Sequence, residues 1–157
     1  MKREIRRAVS ATLESEGMDK PCIVHVSFVT KGEIMRLNRK YMNKNKVTDV
    51  LSFPALADLE DISPFDYEYV TEGSRTVRLL GLGDVILYEK AIERHAEEFK
   101  DIFGKGIVNS FENELIYMVI HSVLHLLGYD HVTSPEDERI MTDKQDAVFY
   151  KLKAKSL

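Results

Sequence analysis

The chain has 157 residues, of which 44% are hydrophobic and 31% charged, the balance of one globular domain over residues 1–157 rather than of a disordered chain. Its longest apolar run, Leu115 to Ile120, is far short of the about 18 residues a bilayer span needs, and the basic opening Met1-Lys2-Arg3 leads into an amphipathic stretch rather than an apolar signal. The net charge is −4 and Cys22 is the one cysteine, which excludes an internal disulfide framework or a cysteine-rich zinc site and suits a reducing cytoplasm.

Residues 3–16 are expected to form an amphipathic helix with Ile5, Val9 and Leu13 on one face and Gly17 as its stop. Residues 22–29 alternate as a strand should, Cys22, Val24, Val26 and Phe28 against Ile23, His25, Ser27 and Val29; Cys22 is read as a small core residue. Thr30 and Glu33 have the spacing of a capping box, opening a second helix with Ile34, Leu37 and Tyr41 facing inward. Asp49 to Phe53 reads as a short strand ended by Pro54. Residues 55–75 are acidic, without a clean period, and are expected to be a long surface loop with room for a short turn of helix. A strand from Thr76 to Leu87, interrupted at Gly81 and Gly83, precedes a third helix over 88–103 through Ile92, Ala96, Phe99 and Phe103. Asn109 with Glu112 is expected to cap a fourth helix, 110–127, which Gly128 ends. Ser134-Pro135-Glu136-Asp137 opens the last helix, with Met141, Gln145, Val148 and Leu152 along one stripe. The order predicts an α+β fold, a small mixed sheet packed with helices. The fourth helix, apolar around nearly its whole circumference from Leu115 to Leu127, belongs at the centre.

That central helix carries chemistry. His121 and His125 are one turn apart, so both imidazoles leave the same face. Gly128 can turn the chain back, bringing His131 round to meet them. Three neutral imidazoles suit a tetrahedral zinc ion with one open position, although another divalent transition metal such as nickel, copper or iron would also accept them. A buried histidine can equally just hydrogen-bond a carbonyl, but burying two among Leu, Ile and Val is costly unless their nitrogens are partnered. The spacing His-x-x-x-His-x-x-Gly-x-x-His matches the zincin-like site of metzincin proteases, except that Ser122 stands where those enzymes carry a glutamate base. A metalloprotease-like zinc hydrolase is therefore one alternative, without its catalytic group.

The whole string His121 to His131 resembles the signature of the YbeY family of bacterial rRNA-processing endoribonucleases, with Ser122 in place of a glycine. Val47-Thr48-Asp49-Val50-Leu51-Ser52-Phe53-Pro54 and Leu82-Gly83-Asp84-Val85-Ile86-Leu87 resemble two further segments of that family, and Leu37, Asn38 and Tyr41 match the helix before them. The resemblance implies a cytoplasmic, zinc-dependent, single-strand-specific endoribonuclease acting in 16S rRNA 3′-end maturation and ribosome quality control, with His121, His125 and His131 as metal ligands. The chain departs from the pattern at Met42, where the family usually has an arginine thought to serve catalysis, and at Asn45 and Val47. That departure keeps open a non-catalytic, ribosome-associated metal-binding module, and no general base is identified. Arg36, Arg39, Lys40, Lys44 and Lys46 fall within 11 residues without an acid; beside a nuclease site they are candidates to track single-stranded RNA. Tyr41 and Phe53 either stack on bases or pack in the core. Asp49, Asp84 and Asp130 are candidates to orient a histidine ligand. His25 and His95, without partners in sequence, are read as structural.

Overall fold

The computed structural model describes residues 1–154. Five α-helices and four strands follow in the order α1 (Lys2–Ser15), β1 (Cys22–Phe28), α2 (Lys31–Met42), β2 (Val50–Pro54), β3 (Tyr67–Glu72), β4 (Arg75–Leu87), α3 (Glu89–Glu98), α4 (Phe111–Leu126) and α5 (Pro135–Ala154). This is the mixed α+β architecture expected. No helix among the described residues is long and apolar enough to cross a membrane.

The long strand β4 organises the sheet. β1 runs parallel along one edge, from Cys22 opposite Leu80 to Phe28 opposite Leu87. The other edge is shared end to end by two antiparallel strands, β3 against Arg75–Leu80 and β2 against Gly83–Leu87. Where one neighbour gives way to the other, the β1 register slips between Ile23 and Val24, and Gly83 adopts φ +129°. A side chain there would overlap the Phe53 carbonyl oxygen and come within 2.9 Å of Ala55 N, so this position admits glycine alone.

α4 lies across the core face of the sheet. Leu115, Ile116, Val119, Ile120, Val123, Leu124 and Leu126 are all buried, together with Leu80, Leu82, Val85 and Leu87 of β4. α1 closes one side through Ala8, α3 through Ile92, and α5 through Met141, Val148 and Phe149. Each of the Val, Leu, Ile, Met and Phe side chains among these contributes about 1.5–3 kcal/mol by leaving water, and the all-round apolar surface of α4 is thereby accounted for. The stripe expected on α5 is the buried one, with Gln145 as its single polar member.

Four local expectations are corrected. The stretch 55–75 holds the short helical turn expected, a 3₁₀ turn at Pro64–Asp66 capped by Ser63, but the rest is not all loop: β3 follows it, joined to β4 through the turn at Gly73-Ser74. Tyr-Glu-Tyr alternation in an acidic context becomes a strand only because Arg75–Leu80 is there to pair with it. Helix α3 stops at Glu98; Phe99 is left exposed against His95, while Phe103 turns inward onto the rings of Tyr117 and Phe149. Ser110, not Asn109, caps α4 by accepting from Asn113 N–H, because the Asn109 amide is taken by the buried carboxylate of Glu114. Tyr41 does not face the core. It is 55% exposed, edge-on to the half-buried Phe53, because it sits in the last turn of α2, past the buried Ile34 and Asn38. The Thr30–Glu33 capping box is present in both halves, and Cys22 is half-buried, which raises its thiol above the usual range.

Candidate metal centre

His121 and His125 project from successive turns of α4, and Gly128, at φ +99°, reverses the chain so that His131 returns to them. The ring centroids are 4.6, 5.2 and 5.0 Å apart. One nitrogen from each ring lies within 4.8 Å of the others, a group that could hold a metal ion. His121 and His125 are half-buried and His131 is exposed, so the cluster is closed on the core side and open toward solvent.

The partners of the far nitrogens fix the chemistry. His125 Nδ1 lies 2.7 Å from the Tyr129 carbonyl oxygen, which can only accept, so Nδ1 carries the proton. His121 Nδ1 lies 3.1 Å from Gln145 Oε1. The other end of that amide donates to the Tyr117 carbonyl at 3.0 Å, so Oε1 must face His121 and His121 Nδ1 is also the protonated nitrogen. Both Nε2 atoms are then bare, and they stand 3.1 Å apart. Burial pushes His121 down to about 4, against the Gln145 contact that favours its charged form, and burial likewise lowers His125. At neutral pH no extra proton separates the pair. Two lone pairs aimed at one point repel unless a cation lies between them, and nitrogens about 2.05 Å from a tetrahedral zinc stand about 3.3 Å apart. The donor set fits such an ion.

Asp49 and Asp130 bear electrostatically on His121 and His125 respectively, each favouring positive charge there. Neither fixes a tautomer. Asp49 accepts from Val50 N–H at 2.9 Å and from the Thr48 hydroxyl at 3.3 Å, and Asp130 accepts from Val132 N–H at 2.9 Å. Asp84 is exposed on β4, opposite His25 and Phe53 in register, and its side chain makes no hydrogen bond or ion pair among the described residues. The orienting role falls instead to Gln145 and the Tyr129 carbonyl, which the sequence reading missed. One signal was available: a lone amide within an otherwise apolar helical stripe needs a buried partner.

Tyr129 is itself anchored. Its hydroxyl donates to Glu16 at 2.6 Å, and Lys144 joins the same carboxylate at 3.0 Å, tying the turn after α4 to α1 and α5. Ser122 is fully buried with an unpartnered hydroxyl, so the position that carries the base in metzincins points into the core. Arg36, Arg39, Lys40, Lys44 and Lys46 are all exposed, on α2 and the loop after it. That loop runs on to Asp49, held to α2 by Asn38 Nδ2 donating to the Lys46 carbonyl at 2.8 Å. Met42 ends α2 and is 41% exposed. His25 pairs with Glu68 at 2.9 Å on the exposed side of the sheet.

Convergent imidazoles with bare nitrogens, on a helix and the turn that follows it, define a candidate metal-dependent hydrolase. Comparison with known proteins narrows the class. A family profile described as Endoribonuclease YbeY matches residues 1–153. Proteins named Endoribonuclease YbeY from Thermoanaerobacter sp. (strain X514), Macrococcus caseolyticus and Clostridioides difficile are 40%, 39% and 36% identical to the chain. The alignments cover 94%, 92% and 95% of the chain and 85%, 81% and 84% of those relatives. A solution structure of a Thermotoga maritima protein superposes with a TM-score of 0.56 at 27% identity, covering 94% of this chain and 80% of that one. The chain belongs to the Endoribonuclease YbeY family, and is accordingly an enzyme of the nuclease, hydrolase type.

Proposed function

We propose that the protein is a zinc-dependent, single-strand-specific endoribonuclease of the cytoplasm, acting in maturation of the 16S rRNA 3′ end and in ribosome quality control. His121, His125 and His131 are its metal ligands. The observation that carries this reading is the pair of bare Nε2 atoms held 3.1 Å apart: Gln145 and the Tyr129 carbonyl keep the protons on the outer nitrogens, and burial keeps the rings neutral. A bound metal supplies an electrophile for phosphoryl oxygens and lowers the pKa of water. The charges of Asp49 and Asp130 add to the attraction for a cation, and the exposed side at His131 leaves room for substrate. Arg36, Arg39, Lys40, Lys44 and Lys46 would hold the strand backbone, with a log–log salt slope of about −0.7 per phosphate neutralised. Tyr41, exposed against Phe53, offers a ring on which a base can stack.

A protease reading is disfavoured by Ser122, whose burial leaves that position without a base facing the site. Purified protein is expected to cleave single-stranded RNA, and chelation or His125→Ala is expected to abolish cleavage. Equal cleavage by the folded, metal-free variant contradicts the mechanism, casein turnover lost with His121→Ala would favour the protease, and bound zinc with no RNA cleavage would favour a non-catalytic ribosome-associated module.

A further inference from the structure

A cavity of about 240 Å³ lies between the approach to β2 and the exposed side of α3. Thr48 and Asp49 form one wall; Arg94, His95 and Glu98 form the other. The last three share one face of α3, with Glu98 one turn beyond Arg94.

His95, read from sequence as structural, forms part of a built wall. Its Nδ1 is 2.9 Å from Glu114 Oε1, and Glu114 is only 1% exposed. The other Glu114 oxygen accepts from Asn109 Nδ2 at 2.6 Å. The His95–Glu114 contact lies off the line of a directed hydrogen bond, leaving both atoms otherwise unpartnered. The Phe99 ring packs 4.5 Å from the imidazole. The ring is thus fixed beside the cavity, and among the described residues the Arg94 and Glu98 side chains make no hydrogen bond or ion pair.

The lining decides the ligand. A bare phosphate would meet Arg94 and His95 but also two carboxylates, Asp49 and Glu98. A nucleobase with donors and acceptors on adjoining edges can meet a carboxylate and a guanidinium at once. Guanine alone among the four RNA bases offers two neighbouring donors, N1–H and N2–H, to one carboxylate while showing O6 and N7 to a guanidinium. The volume is below the roughly 300–1,000 Å³ of sites for drug-sized ligands and suits a single base. Asp49 both lines the cavity and bears on His121, so a strand with one base seated here passes beside the metal centre.

We infer that this cavity holds one unpaired guanine of the RNA strand, with Glu98 accepting from N1–H and N2–H and Arg94 donating to O6 and N7. The choice of ligand rests on the endoribonuclease reading above, but binding can be measured without cleavage. Zinc-loaded protein is titrated with 5′-GMP, guanosine, 5′-AMP, 5′-CMP, 5′-UMP and inorganic phosphate while amide shifts are followed by NMR. GMP and guanosine are expected to shift the amides of residues 47–49 and 91–98 saturably, about tenfold more tightly than the other nucleosides' phosphates. Arg94→Gln and Glu98→Gln, both at exposed positions, are each expected to weaken GMP by about tenfold with zinc content unchanged. Equal binding of all four nucleotides, or the same shifts from inorganic phosphate alone, would overturn the inference, as would no saturable binding. GMP binding by a protein that cuts no RNA would remove the nuclease reading and keep the guanine site. RNA cleavage without GMP binding and without guanine preference near the cut would do the reverse.

Discussion

Replacing Gln145 by leucine isolates the device that sets the histidine tautomers. Gln145 is 4% exposed and close to leucine in size, so the change deletes two hydrogen bonds with little loss of packing. His121 Nδ1–H loses its acceptor, and an unsatisfied buried donor costs about 1–3 kcal/mol. The imidazole can escape that cost by moving its proton to Nε2, where the bare Nε2 of His125 waits 3.1 Å away. The metal-free protein is then partly relieved, but the nitrogen a cation needs has been consumed. Removing such an orienting partner typically costs 10–100-fold in metal affinity. At a free zinc concentration of 100 times the wild-type Kd, binding should stabilise the wild-type fold by about 2.7 kcal/mol and the Gln145→Leu variant by only about 0.4–1.4 kcal/mol. Urea unfolding with and without zinc reads this difference, and nitrogen NMR of the imidazoles reads the tautomer. Equal zinc stabilisation of the two proteins, or a His121 proton on Nε2 already in the wild type, would refute the reasoning.

The metal-free protein should lose stability as pH falls. His121 titrates near 6.5 when unfolded but is pushed to about 4 when folded, so between these values the unfolded chain binds a proton that the native state does not, and stability present above 6.5 drains away by on the order of 3 kcal/mol. Urea midpoints that stay flat from pH 7 to 4.5 contradict this. His131→Ala, at an exposed position, should change metal-free stability by less than about 0.5 kcal/mol yet lower zinc retained on dialysis, and metal analysis showing wild-type retention would remove His131 from the ligand set. Gly83→Ala should destabilise by more than about 2 kcal/mol through overlap with the Phe53 carbonyl and the strained positive φ, and a denaturation midpoint unchanged from wild type would show that the strand crossing yields.

What could be read from sequence was whatever local chemistry settles. The capping box at Thr30 and Glu33 needs only four consecutive residues, the apolar circumference of α4 is visible in its own sixteen, and three histidines around Gly128 declare themselves by spacing. What escaped depends on partners far along the chain. Tyr67–Glu72 is a strand because β4 offers it an edge, and Asn109 leaves the cap of α4 because Glu114 is buried beside it. Tyr41 follows the helical period that predicts an inward face, yet it falls in the last turn of α2, past its buried residues Ile34 and Asn38. At the metal centre the ligand residues were legible and their supports were not. Gln145 lies 24 positions beyond His121, and the Tyr129 oxygen is a main-chain atom with no sequence signature.

X-ray absorption at the zinc edge of the loaded protein tests the core of the account most directly. Three imidazole nitrogens at about 2.0–2.1 Å, with a fourth light scatterer from solvent, are the predicted first shell. A shell of oxygens without imidazole multiple scattering, or one unaltered by His125→Ala, would mean that the facing nitrogens of α4 do not grip the ion.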